Sequence, residues 1–520
     1  MSEDPNNQPE QPENRLAEVK QLGIYASLAS LGYVFWILGG MEMIERLAYY
    51  GVRSVATIYA TRPASEGGLG VTMAKFGTLL LLWNLMQTFV PIFLGGLADK
   101  YGYKQTMFLA TLLKLAGYIV MGVIPTYWGF FAGAMLLANG TAIFKPGIQG
   151  SLIGCTNRKN SAVAWGTFYQ IVNLGAWIGP LLALHMRQDN WSLVFFSNAG
   201  IICINFVLLF AYKEPGIEQR LERQAKEKRG EIPKLNLIKE AFEDLKKPYL
   251  SFYLLIFCVF WFMFPMLWDV LPKYIDDWVD TSVIVQSIFG PEGTANKTIH
   301  FLMGMNENGL KIEPEGVVNL NSFMIMLTCF LFAGLSAKFR ATTTLFYGTL
   351  LVVIALAGLG LFTSAWVIVA CMVVFSVGEM LTGPKYGEFI GNIAPPNKKA
   401  MWMGFTQAPV LIGWTLEGKI GPSLYEHFSS KDRLARLMIT QDYDKAMDVS
   451  EKAIPIGEAF AKLVEISGKS PIEIQRALYE ANSIGMVWYV FAIVGLCSAI
   501  MIYTYGLWYK KYQQRIMDLK

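Results

Sequence analysis

The chain has 520 residues, 53% of them hydrophobic and 14% aromatic, with charged residues at only 16% and a formal net charge of +4. Mean hydropathy is +0.37. This balance gives no support to a nucleic-acid partner and points to an integral membrane protein, because apolar runs of about 20 residues, each able to cross a ~30 Å hydrocarbon core as a helix, recur along the chain.

In chain order, residues 1–25 are polar and rich in Pro, Gln and Asn, which predicts a disordered tail without a cleaved signal. Hydropathy then predicts twelve spans, near 28–60, 73–98, 104–124, 127–153, 162–185, 191–212, 248–276, 318–338, 342–363, 365–393, 400–427 and 484–510. With a cytoplasmic N-terminus, the short inner loops and the C-terminal tail collect Lys100, Lys104, Arg158, Lys159, Lys338, Arg340, Lys398, Lys399, Lys510, Lys511, Arg515 and Lys520. The short outer loops carry almost no basic residues, so both termini are expected in the cytoplasm. The spans divide into an N-terminal half (26–212) and a C-terminal half (248–510), joined by a charged linker (213–247) and followed by a short tail (511–520). Longer outer segments fall near 277–317 and 428–483, and the second is expected to form short surface helices. The six cysteines show no CxxC or metal-ligand spacing, and no cofactor is expected.

The first span contains MEMIERLAYYGVR, with Glu42, Glu45, Arg46 and Arg53 inside an apolar region. A charge at the bilayer centre costs at least ~2.5 kcal/mol on insertion scales, so these groups must face protein, water or one another. At 3.6 residues per turn they share one helical face with Tyr49. Burial disfavours a charged carboxylate and a neighbouring cation favours it, so two glutamates beside an arginine can exchange a proton for a salt bridge. Lys145, in ANGTAIFKPGIQG of the fourth span, needs a carboxylate partner, and the first span is the natural source. A static network that only fixes helix packing is the plainer alternative. Arg53 has no carboxylate three or four positions away on its own helix, which leaves it available to a ligand's carboxylate or to snorkelling at the interface.

Between the second and third spans, GGLADKYGYK resembles the loop signature of the major facilitator superfamily, through Gly95, Asp99, Lys100, Gly102 and Lys104. The first span is similar to the ExxERFxYYG hallmark of the proton-dependent oligopeptide transporters within that superfamily, with Glu42, Glu45, Arg46, Tyr49, Tyr50 and Gly51 matching and Leu47 replacing Phe. Phe168, Tyr169, Asn173 and Gly175 resemble FYxxINxG; Asn139, Gly140, Phe144, Lys145 and Pro146 resemble GNG-FKP; and Gly378, Glu379, Pro384, Gly387, Ala394 and Pro395 resemble the GExxxSPxG segment of the tenth span.

The resemblance implies an all-α integral membrane protein of the major facilitator fold, with twelve transmembrane helices in two six-helix bundles that rock about a midplane site. It implies a proton-coupled symporter of di- and tripeptides, with small peptides, protons and the bilayer as partners, in the plasma membrane and in an oligomeric state left open. Glu42, Glu45, Arg46 and Lys145 would couple the proton. Arg53 and Lys145 would receive a peptide carboxylate, Glu379 with Asn173 and Asn321 its amino end, while Tyr49, Tyr50 and Trp261 would line side-chain pockets. The chain departs from the family at Thr88, where relatives have tyrosine three residues before Pro91, at Pro265 and Met266, where polar residues are usual, and at Lys385 and Glu388. Those changes keep open a carrier of nitrate or another small organic anion on the same fold. A membrane enzyme has little support: no GxSxG elbow accompanies His185, His300 or His427, and no P-loop is present.

Overall fold

The computed structural model describes residues 24–156, 160–215, 217–229, 243–336, 339–393, 402 and 404–518, without side chains for 91–100 and some others within helices. Apolar runs with few internal breakers give twelve long helices there: α1 (Tyr33–Thr61), α2 (Met73–Tyr101), α3 (Tyr103–Val123), α4 (Tyr127–Cys155), α5 (Ser161–Asp189), α6 (Trp191–Ala211), α7 (Pro248–Phe262), α8 (Pro314–Ser336), α9 (Ala341–Leu361), α10 (Ala365–Ile393), α11 (Gln407–Phe428) and α12 (Met486–Asp518). Eight of the described helices, counting α7 with its extension to Asp269, are long and apolar enough to cross a membrane. The charges of α1 keep it out of that set, although it is no shorter. The N-terminal tail, most of the linker, and Arg158, Lys159, Lys338, Lys398, Lys399, Ala394 and Pro395 lie outside the described residues, as do the side chains of Pro91, Gly95, Asp99, Lys100, Arg515 and Lys520.

Two predicted spans differ in form. The first is interrupted after Ile24–Ala29, where Gly32 caps the new helix start. The seventh is not one rod from 248 to 276: α7 stops at Phe262, and Met266–Asp269 and Leu271–Trp278 follow as separate helices. Pro265 and Pro272 remove the amide donors that a continuous helix needs. The carbonyls freed at the break are used, since the Thr57 hydroxyl of α1 donates to Trp268 O at 3.0 Å and Asp269 O at 3.3 Å.

The packing repeats with a six-helix offset. In the first half α1 packs on α5 and α6, α2 on α4, and α3 on α4 and α6; in the second, α7 packs on α11 and α12, α8 on α10, and α9 on α10 and α12. The halves meet through α2 with α11 and α5 with α8, again related by that offset, and through α1 with the segments beyond α7. One approach depends on glycine: a Cβ at Gly175 or Gly179 would strike the backbone carbonyl of Met43 or Leu47, so these two positions let α5 lie directly against α1. Short helices at Ser282–Phe289, Lys297–Met303, Lys431–Met438, Ala459–Ser467 and Pro471–Ala481 cover the end of the bundle opposite the chain termini, called the loop face below.

Candidate functional site

The charged face of α1 organises two clusters one above the other. Nearer the termini, Arg46 Nε contacts Glu42 Oε1 at 2.8 Å and Glu45 Oε2 at 2.9 Å. The second cation at Glu45 is Lys114 of α3, which pairs with Glu45 Oε1 and lies 4.3 Å from the Phe144 ring centroid. Thr141 of α4 donates to the same oxygen at 3.3 Å. Lys114 and Glu45 are both fully buried. Lys145 is therefore not the ion-pair partner of Glu45: that carboxylate is taken by a lysine one helix away, and Lys145 interacts with it only at longer range. Lys114 was legible as a lysine in the middle of the apolar run TLLKLAGY, which the family motifs do not cover.

Toward the loop face, Arg53 pairs with Asp269 beyond the α7 break and has Trp83 5.4 Å from its guanidinium carbon. Arg53 is 5% exposed and Asp269 fully buried. Arg53 is thus neither unpartnered nor snorkelling; its counter-ion comes from the other half of the chain, where local spacing gives no sign of it. Glu417 of α11, also fully buried, is within hydrogen-bonding reach of Asp269.

Between the clusters is a cavity of about 80 Å³ lined by Arg46, Tyr49, Tyr50, Arg53, Gln87, Lys145, Pro265, Trp268 and Trp414. It has room for a few water molecules or one terminal group of a ligand. Tyr49 is held at its wall by donating to Gln87 Oε1 at 2.9 Å. Lys145 faces this space without a carboxylate within ion-pair distance among the described residues, so it is the cation left to meet an anion.

On the second half, Glu379 accepts from Asn321 Nδ2 at 2.9 Å, and the same amide donates to Ser376 Oγ at 3.1 Å. Glu379 is within electrostatic range of Tyr50, which lines the cavity, and of Tyr169, but is not itself among the lining residues. Asn173 does not join it: its amide donates to Tyr169 O in its own helix at 2.7 Å. Trp261 stands behind the cavity, edge-on to Phe260 and Tyr386 and 6.4 Å from Trp414, as a packing residue. Thr88 bonds back to Asn84 O at 2.5 Å, and Lys385 pairs with Glu388 at 2.7 Å on α10.

A further cluster ties the halves at the loop face. Arg187 at the end of α5 contacts Glu313 and Glu315 at the start of α8, each at 2.9 Å, and all three are buried. Lys311 reaches Glu313 from outside at 3.1 Å. Burial alone would raise the Glu313 carboxyl, but Arg187 and Lys311 outweigh it and hold the group below its ordinary value of 4.5. Near the termini, by contrast, α4 and α10 make no substantial contact among the described residues. The halves are therefore closed at the loop face.

Comparison with known proteins places this architecture. The model of the Major Facilitator Superfamily matches residues 46–416, and the chain belongs to that family. Within it, the likeness to peptide transporters is supported by relatives and by solved structures. A di-/tripeptide transporter of Lactococcus lactis subsp. cremoris is 28% identical over 38% of this chain and 42% of its own length. The matches to the first curated relatives span about two fifths of those proteins. A crystal structure of a peptide transporter, POT, in complex with sulfate superimposes with a TM-score of 0.61 at 16% identity, covering 94% of this chain and 99% of that one. The nucleoside transporter NupG superimposes equally well, with a TM-score of 0.62 at 11% identity over 91% and 99% of the two chains, so the overall fold does not select the cargo. These proteins are multi-pass membrane transporters, not enzymes.

Proposed function

We propose that the chain is a proton-coupled symporter of di- and tripeptides that works by alternating access. The observation that carries this reading is the placement of unlike charges on the two halves: Lys145 lines the central cavity from the first half, and Glu379 of the second half, steadied by Asn321, is within electrostatic range of Tyr50 in the cavity lining. A zwitterionic peptide bridges such a pair, its carboxylate on Lys145 and its amine on Glu379, and so favours closure of one half on the other. Glu42, Glu45 and Arg46 then couple the proton, with Lys114 as the additional cation that Glu45 exchanges for it. In this reading residues 26–212 and 248–510 are the rocking halves, 213–247 is a cytoplasmic linker, and both termini lie in the cytoplasm of a plasma-membrane protein.

The test is uptake into proteoliposomes under an imposed pH gradient, from a mixed di- and tripeptide library read by mass spectrometry. Accumulation that needs an inward proton gradient supports the reading, and peptide uptake indifferent to the gradient removes the coupling. A second reading, a carrier of nitrate or another small organic anion, is favoured by one observation: Lys145 is unpaired in a cavity of only about 80 Å³. Uptake of the anion but of no peptide in the same vesicles decides for it.

A further inference from the structure

Glu417 lies outside every motif that the sequence resemblance uses. It projects from the middle of α11, is fully buried, and neither of its carboxylate oxygens has a hydrogen-bond donor among the described residues; α11 packs against the Met266–Asp269 segment, whose Asp269 carboxylate is its neighbouring acid. One guanidinium, that of Arg53, is ion-paired with Asp269 and within electrostatic range of Glu417. Among the described residues the groups around them add no other cation. From α2 come the amides Asn84 and Gln87, of which Asn84 donates to Trp414 O at 3.0 Å and Gln87 accepts from Tyr49 and Trp83. From α12 comes Phe491, near the Glu417 carboxyl at Gly421. From α1 comes Tyr49, next to Arg53. The neighbouring basic residue of α11, Lys419, is turned away to Ala74 O and Thr78 on α2.

Two carboxylates against one arginine leave an excess negative charge on fully buried groups, and an uncompensated buried charge is costly. Two carboxyl groups sharing such a site do not both ionise. We propose that Glu417 is a proton-carrying residue of the transport cycle, sharing one proton with Asp269 opposite Arg53. A carboxyl oxygen forms its O–H bond with a proton delivered by water and donates it to the other carboxylate, which stays paired with Arg53. Because Arg53 belongs to the first half and both acids to the second, separation of the halves removes the cation from the acids. The pair then takes up a second proton, and returns it to water when Arg53 closes again. The role rests on the transporter reading, but the shared proton itself does not depend on any cargo.

The experiment is therefore made without substrate. Infrared spectra of the full chain in detergent at neutral pH are compared for wild type, Glu417→Gln, Glu417→Asp and Asp269→Asn, each in a Glu379→Gln background to remove that buried acid. The wild-type background shows a carbonyl stretch of a protonated carboxylic acid, which ionised carboxylates lack. Glu417→Gln and Asp269→Asn each leave one acid for one arginine and abolish that band, and Glu417→Asp keeps it. A band that survives Glu417→Gln, or that is absent at the outset, overturns the proposal. Retention of the band in Glu417→Asp guards against loss through misfolding, and a folded elution profile is required of every variant. Failure of peptide uptake in the vesicle assay leaves this result untouched, so the two readings fail separately.

Discussion

Lys114 of α3 and Glu45 of α1, 69 residues apart in sequence, form a fully buried ion pair that Thr141 of α4 also touches. The pair joins three helices of one half and makes Lys114, not Lys145, the ion-pair partner of Glu45.

Lys114→Met leaves Glu45 and Glu42 with Arg46 as their one ion-pair partner among the described residues, an unbalanced negative charge in the interior. Breaking one side of a buried pair typically costs about 3–5 kcal/mol. A clear drop in unfolding temperature is expected for Lys114→Met, and a much smaller one for Lys145→Met. Equal losses in a thermal scan of the two purified variants would place Lys145 in the ion network after all.

Lys145, not Arg53, should set the preference for a free carboxyl end. Replacing it with Gln is expected to weaken dipeptides relative to their amides by about 1.5–3 kcal/mol, the range for a hydrogen bond to a charged group. Arg53→Lys, which loosens the contact with Asp269, should weaken both ligands alike. Calorimetric titration of acid and amide into both variants measures the ratio, and a ratio that changes with Arg53 and not with Lys145 refutes the assignment.

Glu379→Gln should remove the charge-assisted contact with a substrate amine while keeping the hydrogen bond to Asn321. Binding of a dipeptide is expected to fall by about 1.5–3 kcal/mol, and that of its N-acetylated form to change little. Parallel loss of both would make Glu379 a structural acid.

The clasp of Arg187 with Glu313 and Glu315 should not respond to mild acid. Glu313 is held below its ordinary 4.5 by its cations after burial is overcome. A lowered carboxyl contributes stability that is present above the ordinary value and lost only as pH falls through the lower, folded one. The distance between spin labels at the loop-face ends of α5 and α8 should therefore stay constant from neutral pH down to about pH 5, and lengthen in Glu313→Gln at neutral pH. Lengthening in the wild type over that range would show that the clasp itself senses protons.

The helix count and most span limits were legible because a membrane demands long apolar runs, and such runs announce themselves locally. The shared face of Glu42, Glu45, Arg46 and Arg53 was legible for the same reason, since helical period alone determines it. Their partners were not. Lys114, Asp269 and Glu417 approach through contacts between helices 69 to 364 residues from the α1 residues they serve. Asn321 and Glu379 were expected together at a peptide amine through the family resemblance, and they meet in a direct hydrogen bond, while Asn173 bonds within its own helix and Trp261 packs on distant Tyr386 and Trp414. The break after α7 was visible as Pro265 in FWFMFPMLWD, but its effect, two carbonyls turned to Thr57, depends on a helix more than 200 residues earlier.

The glycine contact between α1 and α5 has a mechanical consequence. With Gly175 and Gly179 pressed against the backbone at Met43 and Leu47, the two helices have no side-chain cushion across which to slide or tilt independently. Arg53 rides on α1 and Arg187 on α5, and each grips an acid of the opposite half. In the proposed cycle a lever that carries both hands lets go with both: the deep latch at Asp269 and the rim latch at Glu313 are expected to open together.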